Sequence, residues 1–73
     1  SNSVEIRQIP VGKMLIGKSV QESDIRRKYN INVLAVKKNG NIDMAISSDT
    51  TLGENATLMV LGEYKELQKC FRI

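Results

Sequence analysis

Asp24, Arg26, Asn30 and Asn32 fall within nine residues of one another, in the run D-I-R-R-K-Y-N-I-N. These side-chain types suit the recognition of a phosphorylated ligand that also makes hydrogen bonds. An arginine forks onto phosphate oxygens with two parallel N–H donors. A carboxylate two residues earlier can orient a guanidinium or accept from a base, and the two amides both donate and accept. Ile31, between the asparagines, adds an apolar floor. Together they fit a nucleotide better than a bare phosphate. The cluster Arg26-Arg27-Lys28 also has a plainer reading, a solvated helix face. Arg27, about 100° further round a helix than Arg26, is expected to point elsewhere.

Other chemistries find little support. The chain has no His and one Cys, so little is left for acid–base work near neutral pH and an internal disulfide framework is excluded. No nucleophile elbow, H-E-x-x-H or metal-ligand spacing occurs, and the five glycines form no phosphate-binding loop. Cys70, late in the last helical stretch, reads as a small half-buried hydrophobe. The chain is therefore expected not to be an enzyme and to carry no cofactor or metal. RNA or DNA binding is disfavoured by a net charge of only +3 and three aromatic residues.

The residues that must position this cluster run from Gly17 to Lys38. Ser19 and Glu22 have the S-x-x-E spacing of a capping box, which starts a short helix. Within Val20–Tyr29 the apolar stripe is thin, with Ile25 and Tyr29 at i, i+4, and Asp24 is its weak point. Asn30 suits the left-handed residue that ends a helix. Strand Ile31–Val36 follows at once and is expected to be central and covered on both faces, Ile31, Val33 and Ala35 one way, Leu34 and Val36 mostly the other.

Around that segment, Val4–Ile9 alternates as a first strand closed by Pro10, at an edge or strand end. Asn39-Gly40 marks a hairpin whose return strand is Ile42–Ile46, with Ile42, Met44 and Ile46 inward. Ser47–Asn55 reads as a polar loop tacked down by Leu52. Ala56–Leu61 is an apolar strand, Gly62 a turn, and Glu63–Phe71 a helix with Tyr64, Leu67 and Phe71 on one face. The fold class expected is α+β, in the order β-α-β-β-β-α: a mostly antiparallel four-stranded sheet with two short helices.

At 73 residues, 41% hydrophobic and 26% charged, the chain is one small domain. A domain of this size buries a limited share of its surface and gains from association. With Met14–Ile16 and the strand Ile31–Val36 to cover, a homodimer is expected. No apolar run approaches a membrane span and no signal peptide is read, so a cytoplasmic location is expected. Ser1-Asn2-Ser3 reads as a tag scar and boundary residue, leaving residues 4–73 as a domain cut from a longer protein.

G-K-S-V, then D-I-R-R-K-Y-N-I-N-V-L-A-V-K-K-N-G, then T-L-M-V-L-G and a closing amphipathic helix resemble the TrkA-C (RCK C-terminal) domain over Val4–Phe71. The resemblance implies a cytosolic regulatory lobe of a potassium channel, potassium uptake system or other ion transporter, paired as a homodimer. Members with the D-I-R and N-I-N form bind cyclic di-AMP in a cleft on the dimer axis. Carried over, the resemblance makes Asp24, Arg26, Asn30, Ile31 and Asn32 ligand contacts and Val20 an apolar one. A dimerisation lobe without ligand is the alternative. Two departures stand out: serines occupy Ser47 and Ser48, where family members often have prolines facing the adenine, and Asn55-Ala56 replaces the usual Gly-Asp.

Overall fold

Two reciprocal hydrogen bonds start the helical segment. Glu22 N–H donates to Ser19 Oγ (3.1 Å) and Ser19 N–H to Glu22 Oε1 (2.9 Å), the capping box expected from the sequence. The computed structural model describes residues 3–73; Ser1 and Asn2 of the expected tag scar lie outside the described residues. The elements are β1 (Val4–Pro10), α1 (Val20–Ser23), α2 (Ile25–Tyr29), β2 (Asn32–Lys38), β3 (Asn41–Asp43), β4 (Thr57–Glu63) and α3 (Tyr64–Phe71). The four strands form one antiparallel sheet in the order β1-β4-β2-β3, an α+β fold.

The helical segment expected to run from Val20 to Tyr29 is two helices, because Asp24 adopts φ 61°, ψ 15°. One left-handed residue ends α1 and begins α2, so the described residues hold three short helices rather than two. Asn30 repeats the conformation (φ 55°) at the end of α2. Its N–H reaches Arg26 O at 2.9 Å, and Ile31 N–H reaches Ile25 O at 3.3 Å. Asp and Asn are the non-glycine residues best suited to this region.

The core lies on one face of the sheet. Ile9, Leu58 and Val60 from the strands meet Ile25, Ile31, Leu52 and Leu67, all buried. α3 packs on β1 and β4, and α2 packs on α3. The opposite face is open: Val4 and Ile6 are 64% and 61% exposed. Register places Ile6 opposite Leu61, and Leu61 opposite Asn32. β2 is therefore central, with its core side packed and only the small Ala35 buried on the other.

Its alternation also slips. A bulge between Val33 and Ala35 pairs Val33 with Val60 and Val36 with Leu58, both on the core side, while Ala35, itself buried, pairs with Met59 on the opposite side. An extra residue in the ladder reverses which side chains share a face. The strand also begins at Asn32, not Ile31, which lies in the connector and is fully buried.

The return strand is shorter than expected. β3 ends at Asp43 because the Asp43 carboxylate accepts from Ala45 N–H (2.9 Å), a local turn that competes with the ladder. Ile42 and Met44 are exposed rather than inward, and Ile46 is half-buried. The hairpin turn itself is as read, with Asn39 and Gly40 both at positive φ. Residues 47–52 are tied to residues 17–21 by backbone bonds. Val20 N–H donates to Thr50 O (2.9 Å) and Gln21 N–H to Ser48 O (2.8 Å), and Leu52 N–H to Lys18 O (2.8 Å). Leu52 is the buried tack of this loop, as expected.

Gly62 is not a turn; it is a buried residue of β4, with Glu63 as the N-cap of α3. A Cβ there would lie 3.0 Å from Ile31 Cγ1 and 3.4 Å from Leu67 Cδ2. Overpacking of this kind costs about 1–3 kcal/mol, against an unfolded-state gain of about 0.4–1 kcal/mol. Gly62→Ala should therefore lower the urea midpoint; a midpoint at or above that of the parent chain would show that Ile31 and Leu67 yield freely. Ser19→Ala removes the cap and should cost about 0.5–2 kcal/mol. Hydrogen exchange should locate the loss at the Glu22 amide, which donates to Ser19 Oγ, and uniform acceleration along the chain would count against a local role.

Candidate functional site

An open pocket of about 730 Å³ lies between the broken helix, the start of β2 and the loop after β3. Its size falls within the roughly 300–1,000 Å³ of small-molecule sites. Five of the six residues singled out in the sequence line it: Val20, Asp24, Arg26, Ile31 and Asn32. Asn30 does not. It is exposed at the end of α2, where its backbone serves as the helix cap. Ser47 and Ser48 line the pocket too.

The polar wall is already internally paired. Arg26 Nη1 donates to Asn32 Oδ1 across the α2–β2 connector. The Arg27 guanidinium forks onto Asp24, with Nε donating to Oδ1 at 2.8 Å and Nη2 to Oδ2. That hydrogen-bonded guanidinium holds the Asp24 carboxyl below the ordinary carboxylate range, against a smaller opposing effect of desolvation. A depressed carboxyl stays ionised below the pH at which a free one takes up a proton, so its contribution is full above the ordinary value and is lost as the pH falls through the lowered one. Glu22 is lowered likewise, by accepting from the Ser19 backbone.

Arg27 was expected to point away from the site, yet it lines the same pocket. The i, i+3 spacing to Asp24 draws its side chain back. That spacing is plain in the sequence and was the available signal. Gln21, Val33 and Ile46 also line the pocket and had no such signal. Gln21 is brought there by the backbone ties to residues 47–52 and Ile46 by the end of β3, both contacts between distant parts of the chain.

A smaller hollow of about 300 Å³ lies on the other side of the helices, lined by Met14, Leu15, Tyr29 and Cys70 among others. Burial pushes the Cys70 thiol up, partly offset by the charge of Lys28. A raised pKa keeps the sulfur protonated and a poor nucleophile. Among the described residues no group of His, Cys, Asp or Glu is placed to hold a metal ion, and no helix is long and apolar enough to cross a membrane.

The geometry is thus a pocket with an apolar floor, an arginine and amide at one wall, and a carboxylate fixed by a second arginine. Residues 4–73 match the TrkA-C domain. The chain is 33% identical over 67 residues to the K(+)/H(+) antiporter subunit KhtT of Bacillus subtilis (strain 168); the match covers 90% of this chain and 41% of that protein. Its fold is similar to the RCK C domain of the potassium transport protein KtrA in complex with cyclic di-AMP. The TM-score there is 0.87 at 22% identity, over 94% of this chain and 81% of that one. It is also similar to the RCK_C domain dimer of S. agalactiae BusR in complex with cyclic di-AMP, with a TM-score of 0.73 at 14% identity, covering 92% and 95% of the two chains. The four-stranded antiparallel sheet, the match over residues 4–73 and these likenesses agree: the chain belongs to the TrkA-C family, whose members are regulatory domains and not enzymes.

Proposed function

We propose that this domain is the ligand-sensing part of a potassium or other ion transport system, that two copies pair as a homodimer, and that the dimer binds cyclic di-AMP and signals to the transporter. The observation that carries the reading is the convergence of Asp24, Arg26 and Asn32 over Val20 and Ile31 in one pocket. The similarity to two domains solved with cyclic di-AMP and to an antiporter subunit supports the ligand class and the setting. A cytoplasmic position beside the membrane follows from this reading. So does a role for Asn30, whose exposed amide at the end of α2 is available to a ligand shared with a second copy.

Pairing fits the surface as well as the ligand. Met14 is 76% exposed, and Val4, Ile6 and Ile42 stand in water on the open face or edge of the sheet. A stable dimer interface buries roughly 1,200 Å² or more, and this chain has apolar surface to supply it. Sedimentation equilibrium at micromolar concentration should show a dimer; a clean monomer, with and without cyclic di-AMP, would remove the two-fold cleft from the proposal.

In the ligand complex Arg26 exchanges its bond to Asn32 for a phosphate, and Asn32 is freed for the ligand. Charge-assisted hydrogen bonds are worth about 1.5–3 kcal/mol each. Two copies act on a two-fold ligand, so Arg26→Ala should cost about 3 kcal/mol or more per dimer, at least a hundredfold in affinity. Arg27→Ala should cost only a few-fold, through the loss of Asp24's partner. Calorimetric titration with cyclic di-AMP, beside ATP and a linear dinucleotide, separates a specific site from diffuse attraction to basic side chains. Equal losses for both variants would favour diffuse attraction, and no binding by the parent chain would leave a dimerisation lobe without this ligand.

A further inference from the structure

Arg27 takes both oxygens of Asp24 at once, Nε on Oδ1 and Nη2 on Oδ2. Each carboxylate oxygen has about two acceptor positions. A guanidinium fork uses one on each oxygen, on the side where the two lie parallel. The remaining positions point apart, so Asp24 can still accept a single N–H from the pocket but not a second parallel pair.

Purine bases differ in this respect. The Watson–Crick edge of guanine offers N1–H and N2–H side by side, the same two-donor fork as a guanidinium. Adenine offers one amine N–H beside a ring acceptor. Single-stranded bases are read on these edges, and a carboxylate with a free fork is the natural partner of guanine. Asp24 lines the pocket, and its side chain is 34% exposed, within reach of a bound base. Resting on the nucleotide reading above, we propose that Arg27 is a specificity-determining residue: by occupying the fork of Asp24 it excludes guanine and leaves one acceptor for adenine. Specificity then comes from a site filled against the wrong ligand as much as from contact with the right one.

The magnitude is bounded by exposure. The Arg27 side chain is 76% exposed, and a pair of that kind is worth at most a few-fold in an equilibrium constant. The same exclusion acts twice on a two-fold ligand, so the adenine-to-guanine ratio should move by about tenfold. Lysine is the informative replacement, since it keeps the charge beside Asp24 but cannot make the planar fork.

The test is calorimetric titration of the chain, Arg27→Met and Arg27→Lys with cyclic di-AMP and cyclic di-GMP, with folding checked by circular dichroism. The parent chain should bind cyclic di-AMP and discriminate against cyclic di-GMP. Both variants should narrow the ratio about tenfold, chiefly by gaining affinity for cyclic di-GMP, while cyclic di-AMP weakens by a few-fold. A parent that binds cyclic di-AMP with both variants keeping its ratio would overturn the role of Arg27 and leave the ligand reading standing. A ratio moved by Arg27→Met but not by Arg27→Lys would also overturn it, since charge and not the fork would then discriminate. A parent that binds neither dinucleotide would bring down the ligand reading and this inference together.

Discussion

The contact between Ile31 and Gly62 is the constraint on which the rest of the structure turns. Ile31 is fully buried, and its Cγ1 lies 3.0 Å from where a side chain at Gly62 would begin. The missing side chain lets the connector after α2 sit directly on the central strand β4. Close approach of this kind is one of the few reasons for a glycine inside a strand. With Ile31 pinned there and Leu67 of α3 against the same glycine, the end of α2, the start of β2 and the last helix share one anchor. Arg26 and Asn32 stand on either side of that anchor, and this brings residues six apart within hydrogen-bonding reach.

The backbone on either side is bent to the same purpose. Asp24 and Asn30 both take left-handed conformations, and between them is a helix of only five residues. So short a helix has little stability of its own; it is held by the burial of Ile25 and by its contacts with α3. Rigidity at the site therefore comes from the core beneath it and from the backbone ties to residues 47–52. The polar groups above add rather little. They are mostly exposed, and exposed ion pairs contribute about 0–1 kcal/mol. That property would suit the binding proposed above, because a ligand could take over the Arg26–Asn32 pair without a large loss.

Local signals were the legible part of the sequence. The capping box, the Asn-Gly hairpin, the β1 edge strand and Leu52 as a tack were each readable because the physics that sets them lies within a few residues. Five of the six candidate residues line one pocket, since most of them sit on one continuous segment whose helix-to-strand order was plain. What was not legible depended on partners far along the chain. The bulge at Leu34 follows from how β2 must align with β4, and no pattern within β2 announces it. The early end of β3 hinged on one carboxylate competing with the ladder, and Gly62 reads as a turn until its neighbour Ile31 is known. Arg27 was missed for a different reason. Helical geometry alone turns it about 100° from Arg26, but the break at Asp24 and the attraction of that carboxylate override the ideal angle.

The distribution of apolar surface bears on the pairing proposed above. A domain of 73 residues has room for one core, and here the core occupies one side of a four-stranded sheet. Burial is worth roughly 25 cal/mol per Å², so the Val4, Ile6 and Leu61 side of the sheet forgoes stabilisation that a covering layer would provide. The pocket opens at the end of β2, where Asn32 lies in register with Leu61 and through it with Ile6. Site and open face thus share the same strands. A second copy seated near that end would cover apolar surface and close the pocket in one event. Part of the free energy of ligand binding would then be paid into the association of the two chains, and under the proposed function this would let a small molecule alter the spacing of whatever the two copies hold.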